Sequence, residues 1–202
     1  MIKVHHLNRS RSLRILWLLE EIGADYEIVK HTRNAETNLA PDALRDLHPL
    51  GKAPMIEWDG RLIVESGAIV ETICTRLAPH MIPDQSTDAY LDHLELMHFA
   101  EGSAMTPILL NLYVSHLGDA GKPLHPRIHS ELENHYAYME RTLRPSGHWV
   151  LDDLSAADIM LSFPAIVLDR HDLDGKFPKV EAFVTWMKQR PAFARAVERG
   201  GI

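Results

Sequence analysis

The chain opens on an apolar-rich run, Ile2 to Leu7, that stops at the polar segment Asn8-Arg9-Ser10-Arg11-Ser12, the pattern of a strand running into a turn. From Leu13 the period changes. Leu13, Leu16, Trp17, Leu19 and Ile22 recur at three- and four-residue steps, like the buried stripe of a helix, and Gly23 stands where a helix C-terminal glycine is expected. Tyr26 to Lys30 reads as a second strand, so the opening predicts a strand-helix-strand unit with two parallel strands in one sheet. A short helix is expected over Pro41 to Leu47, followed by turn residues from His48 to Pro54. Two short strands, Met55 to Trp58 and Arg61 to Val64, flank Asp59-Gly60, a pair that tolerates the positive backbone angles of a tight hairpin. Glu65-Ser66 then opens a helical pattern through Ile69, Val70, Ile73 and Leu77 that ends before Pro79. The predicted order over residues 1–80 is β-α-β-α-β-β-α.

The two prolines between Pro79 and Ser86 mark a change of character, because everything beyond them reads helical. This predicts a first domain over residues 1–80, a linker over 81–86 and an all-helical domain over 87–202. Helices are expected over Thr87 to Leu117, Arg127 to Arg144, Ser155 to Asp169 and Val180 to Gln189, with a last turn from Pro191 toward Arg199. The fold class is therefore α/β followed by an all-α bundle.

Composition narrows the function classes. With 202 residues, 46% of them hydrophobic and 24% charged, the chain can bury a substantial core, yet no stretch reaches the roughly 18 apolar residues of a membrane span. The opening residues enter a strand pattern without a signal-peptide core, so the cytoplasm is the expected location. A net charge of -7 with no dense Lys/Arg run argues against nucleic acid and for a small-molecule partner. The lone Cys74 makes no internal disulfide and lies on the apolar face of a helical pattern, where a core role is expected. Among 13 histidines, His125 and His129 are four apart, but neither a His-Glu-x-x-His motif nor a cysteine accompanies them, so no metal site is expected.

Several segments together resemble the cytosolic glutathione transferase family: Ile2-Lys-Val-His-His-Leu-Asn-Arg-Ser-Arg-Ser-Leu-Arg-Ile-Leu-Trp-Leu-Leu-Glu-Glu, Gly51-Lys-Ala-Pro54, Glu65-Ser66 and Ser155-Ala-Ala-Asp158-Ile. The similarity covers nearly the whole chain in the right order, and is nearest to fungal and bacterial members with an arginine-serine first turn. It implies a thioredoxin-like first domain that binds glutathione and a helical second domain that shapes a pocket for an apolar electrophile. A homodimer is implied by the resemblance alone. Transfer of the glutathione thiolate to an electrophilic carbon is the expected reaction. Two alternatives stay open: a glutathione-dependent peroxide or disulfide reductase, and a non-catalytic glutathione- or ligand-binding protein.

The resemblance also implies roles for residues. Pro54 is expected to follow a cis peptide bond, with the Ala53 backbone pairing to the cysteinyl part of glutathione as an added strand would. At the strand-to-helix junction, Ser66 takes the γ-glutamyl carboxylate and Glu65 faces its ammonium, although helix capping is the ordinary use of such residues. Lys52 matches the position set against the glycyl carboxylate; a solvated lysine is the alternative. Because a free thiol with a pKa of about 8.5 is mostly protonated at neutral pH, the site must stabilise a thiolate. Family members use tyrosine, serine or cysteine at the sulfur, and the first turn here offers only serine. The usual serine position is occupied by Arg9, so Ser10 is the candidate, with Arg9 or Arg11 as guanidinium donors, Ser12 or Asn8 as alternatives, and helix capping by either serine as the structural role. Arg14 adds a third cation near the helix start, where an anion is favoured. Met105 and Tyr113, in an apolar stretch that also holds Met97, Phe99, Ile108, Leu109 and Leu112, are candidates for the electrophile wall, although packing is the commoner role. Ser155 and Asp158 have the spacing of a capping box and a folding role. Glu101 is a weaker candidate for approach to glutathione across a dimer.

Overall fold

The computed structural model describes residues 1–171 and 173–200, which form two compact units: Met1–Pro79 with the segment from Met187 onward, and His80–Trp186. In the first unit the order is β1 (Ile2–Leu7), α1 (Leu13–Glu21), β2 (Tyr26–His31), α2 (Ala43–Leu47), β3 (Met55–Trp58), β4 (Arg61–Val64) and α3 (Ser66–Leu77), as the hydrophobic pattern predicts. The four strands form one mixed sheet in the order β2-β1-β3-β4, with β1 and β2 parallel and the β1–β3 and β3–β4 pairs antiparallel. Parallel pairing follows from the helical crossover through α1, whereas β3 and β4 join through a two-residue turn. In that turn Asp59 and Gly60 both have positive φ, 52° and 76°, as a tight hairpin requires. Gly23, at φ 63°, follows the α1 C-cap, and Ala24 N–H reaches back to the Leu19 carbonyl at 3.0 Å, closing a Schellman motif.

Helix α1 is buried from Arg14 to Leu19. Part of that burial comes from beyond the first eighty residues. Helix α9 (Pro191–Gly200) returns to pack on α1, setting Phe193 edge-on to Trp17 at 5.7 Å between ring centroids. Arginines of this returning segment engage the acidic end of α1. Arg190 donates to both carboxylate oxygens of Glu21 at 2.5 and 2.7 Å, and Arg195 and Arg199 each reach Glu20 at 2.7 Å.

The second unit is helical: α4 (Asp88–Gly102), α5 (Met105–Ser115), α6 (His125–Thr142), α7 (Ala156–Ile166) and most of α8 (Pro178–Gln189). The single helix expected over Thr87 to Leu117 is two helices. Ser103 N–H and Ala104 N–H both close on the Phe99 carbonyl, and Thr106 N–H starts afresh on Ser103. Pro107 explains the break: it has no N–H to continue a helix and is tolerated only in a first turn, which is where α5 puts it. The capping box at α7 forms as expected. Asp158 N–H donates to Ser155 Oγ at 3.4 Å and Ser155 N–H donates to Asp158 Oδ2 at 2.7 Å. Among the described residues no helix is long and apolar enough to cross a membrane.

Candidate functional site

Three loops of the first unit converge on one pocket of about 170 Å³: the β1–α1 turn through Arg11, the segment before β3 through His48, Leu50, Lys52, Ala53 and Pro54, and the β4–α3 junction through Val64, Glu65 and Ser66. The Ala53–Pro54 peptide bond is cis, as expected. Ladder pairing of β3 begins only at Met55, so the residues before it face the pocket instead of a neighbouring strand. Gly51 enters this loop at φ 57°, a conformation that admits glycine freely, and a Cβ there would lie 2.6 Å from Arg45 Cγ.

The β4–α3 junction is conformationally unusual. Glu65 has φ 69° and ψ 123°, a region costly for a residue with a long side chain. Among the described non-glycine residues with positive φ, Asn38 and Asp59 are types that tolerate it; Arg9 and Glu65 are not, and Glu65 lines the pocket. Ser66 is buried at the first position of α3. The first helical hydrogen bond is Ile69 N–H to the Glu65 carbonyl at 2.9 Å, so the amides of Ser66, Gly67 and Ala68 precede the ladder, and no side chain caps this end. The capping role considered for Glu65 or Ser66 is thus not taken up.

The β1–α1 turn separates its polar residues sharply. Arg9 is exposed, and its Nη2 donates to Asn38 Oδ1 at 2.9 Å. Arg11 is partly buried and lines the pocket; Arg14 is buried, 1% exposed. Asn8 supports the neighbouring loop, accepting Arg33 N–H on Oδ1 at 2.9 Å. Ser10 is 8% exposed and Ser12 fully buried. The two hydroxyls lie 2.7 Å apart, Ser12 N–H donates to Ser10 Oγ at 3.2 Å, and Ser12 Oγ is 2.8 Å from His6 Nδ1. Neither serine caps α1 with its side chain.

The candidate residues therefore divide. Arg11, Lys52, Ala53, Pro54, Glu65 and Ser66 share the pocket wall; Ser10, the chain neighbour of Arg11, is 8% exposed and is not part of that wall, and Arg9 turns to Asn38. Sequence reasoning missed His48, Leu50 and Val64, read only as turn or strand residues, and His6, which looked like one more strand position. β1 is buried at Ile2 and continuously from Val4 to Leu7, and that run gives no signal that His6 would meet the serines. Cys74 is buried in α3, and burial, with Glu71 nearby, pushes its thiol up to about 12, so it is inert as a nucleophile. In the second unit Met105 and Ile108 are buried, while Leu112 and Tyr113 are exposed.

Chemically, the pocket offers two cations, Arg11 and Lys52, one carboxylate, Glu65, an uncapped helix N-terminus and backbone outside the sheet ladder. That set suits an extended peptide-like molecule carrying carboxylates and an ammonium.

Comparison with known proteins gives a consistent result. Residues 1–74 match the family model described as glutathione S-transferase, N-terminal domain. The chain is 31% identical to glutathione S-transferase 3 of Schizosaccharomyces pombe, over 98% of this chain and 88% of that relative. Among solved structures, a glutathione S-transferase from Actinobacillus pleuropneumoniae superposes with a TM-score of 0.89 at 28% identity, covering 100% of this chain and 93% of that one. A sphingomonad glutathione S-transferase complexed with glutathione shares the fold, with a TM-score of 0.79 at 22% identity and 99% of each chain covered.

Proposed function

The chain belongs to the glutathione S-transferase family, and from that membership we propose that the pocket of the first unit holds glutathione with its sulfur at the β1–α1 turn. The protein is an enzyme that conjugates glutathione, its co-substrate. The observation that carries the residue assignment is the convergence of Arg11, Lys52, Ala53, Glu65 and Ser66 on one small pocket from three separate loops.

In this reading the Ala53 backbone pairs with the cysteinyl residue, and Pro54 holds the loop that presents it. Ser66 and the uncapped amides of α3 take the γ-glutamyl carboxylate, where the helix dipole favours negative charge, and Glu65 takes the ammonium. Lys52 meets the glycyl carboxylate. Ser10 donates a hydrogen bond to the sulfur; Ser12, with no exposed surface, is not a contact. Arg11 supplies positive charge from the pocket wall, and Arg9 contributes long-range field through its exposed guanidinium. The thiol proton leaves to water, the thiolate attacks an electrophilic carbon, a C–S bond forms, and the leaving group departs with its electron pair.

The co-substrate is an apolar electrophile, a reading supported by the exposed Leu112 and Tyr113 of the helical unit. A homodimer in the cytoplasm completes the proposal, and the lone buried Cys74 fits a reducing compartment. Titration calorimetry with glutathione, followed by conjugation of a chlorinated nitrobenzene, tests it. Binding is expected in the wild type, with affinity reduced about tenfold in Lys52→Ala, a loss of about 1.4 kcal/mol, and turnover lost in Ser10→Ala. No heat at millimolar glutathione would overturn the assignment, binding without turnover would make the protein a carrier, and light scattering at the mass of one chain would remove the dimer.

A further inference from the structure

The hydrogen bonds behind the β1–α1 turn can be counted, and the count assigns a role to a residue outside the pocket. Ser12 Oγ has one hydrogen and two lone pairs. It accepts from Leu7 N–H at 3.3 Å and makes two shorter contacts, to Ser10 Oγ at 2.7 Å and His6 Nδ1 at 2.8 Å; the Leu7 carbonyl, at 3.3 Å, is a weaker alternative for its hydrogen. Two arrangements are possible. If Ser12 donates to His6, its second lone pair takes the Ser10 hydroxyl, and the Ser10 hydrogen points inward. If His6 Nδ1–H donates to Ser12, both lone pairs of Ser12 are filled and its hydrogen goes to Ser10. Ser10 then accepts from both Ser12 N–H and Ser12 O–H, and its own hydrogen has no partner within the network.

The far side of the imidazole chooses between them. His6 is 1% exposed, and its Nε2 is buried without a hydrogen-bond partner among the described residues. The space beside it is close-packed: a Cβ added to Gly200 would lie 3.2 Å from both His6 Nε2 and Leu16 Cδ1. A buried N–H without an acceptor is rarer and costlier than a bare acceptor, so the proton belongs on Nδ1. Burial, with Lys30 and His31 nearby, lowers the His6 pKa to about 4, so the ring stays neutral at neutral pH.

We propose that His6 is a positioning residue for the sulfur site: by donating its Nδ1–H to Ser12 it turns the Ser12 hydroxyl onto Ser10 and releases the Ser10 hydrogen to a thiolate. The proposal rests on Ser10 being the sulfur contact. Of the three residues, Ser10 keeps the most exposed surface, 8% against 1% for His6 and none for Ser12, so it is the one a ligand atom reaches.

The test is the pKa of the glutathione thiol in the bound complex, read from thiolate ultraviolet absorbance against pH, together with kcat and KM. His6→Leu removes the donor; His6→Asn places an amide N–H near the Nδ1 position. His6→Leu is expected to raise the bound-thiol pKa by about one unit and lower kcat about tenfold, with KM for glutathione little changed, and His6→Asn to restore most of both. Ser10→Ala is expected to raise the thiol pKa at least as far, and the double variant His6→Leu with Ser10→Ala no further. If Ser10→Ala leaves the thiol pKa unmoved, the Ser10 assignment is wrong. If Ser10→Ala moves it but His6→Leu does not, or if His6→Asn is as impaired as His6→Leu, the role of His6 is overturned. Should His6→Leu not fold, Ser12→Ala cuts the same relay, and an unshifted thiol pKa there overturns the proposal equally.

Discussion

Glu65 holds φ 69° with a full side chain, a conformation costing on the order of 1–3 kcal/mol, and it does so on the pocket wall. Glycine at this position removes the strain, offset by about 0.5–1 kcal/mol of extra chain entropy in the unfolded state. The Glu65→Gly variant is therefore expected to melt no lower than the wild type in thermal denaturation, while its glutathione dissociation constant, measured by calorimetry, rises about tenfold, or roughly 1.4 kcal/mol. Weaker folding with unchanged affinity would show that Glu65 serves the fold and not the ligand. His6 gives a second prediction. Its pKa falls from 6.5 to about 4 on folding because burial, then Lys30 and His31, disfavour the charged ring. The unfolded chain then binds more protons across that interval, so this contribution is full above pH 6.5 and is lost as pH falls toward 4. The expected loss approaches about 3 kcal/mol. Urea unfolding of the first unit at stepped pH, wild type against His6→Asn, isolates it: the variant's curve is expected to be flatter between these limits.

Helix α7 begins in a buried polar knot. The Asp158 carboxylate accepts Trp149 N–H at 3.0 Å, Ser155 N–H at 2.7 Å and Ser155 O–H at 2.6 Å, and no part of it is exposed. Asp158→Ala leaves three buried donors without their acceptor, and is expected to destabilise the second unit by about 3 kcal/mol while kcat per folded molecule stays intact. Unchanged melting by circular dichroism would contradict this. That start signal was legible because a capping box lies within four residues. The break between α4 and α5 was not read from apolar periodicity, which runs on through Ser103 and Ala104; only the missing N–H of Pro107 marks it.

Across the whole chain, the first unit is completed by residues remote in sequence. Trp17 has no exposed surface, and Phe193 of α9 meets it edge-on while Arg190, Arg195 and Arg199 engage Glu20 and Glu21. Burial opposes ionisation of Glu20, but hydrogen bonds from Arg195, Tyr26 and Arg199 outweigh it and hold the carboxyl below the usual range. Phe193→Ala is expected to destabilise the first unit by about 3 kcal/mol, mostly through lost apolar contact, and to lower glutathione binding only by the fraction unfolded. A thermal melt indistinguishable from wild type would mean that α9 contributes nothing to the α1 packing.

What the sequence alone determined is whatever depends on neighbours a few residues apart. The strand and helix periods, the Asp59-Gly60 hairpin, the Gly23 helix stop and the Ser155–Asp158 cap are local, because backbone angles and first-turn hydrogen bonds are set within that distance. Resemblance extended that reading to the Ala53–Pro54 loop and the Glu65-Ser66 junction, but only folding joined them with Arg11 in one pocket. Tertiary structure also decided which cation of the first turn faces that pocket and which serine is reachable. It set His6 against Ser12 and returned α9 to α1. These outcomes depend on burial and on side-chain distances between segments far apart in the chain, which no periodicity encodes.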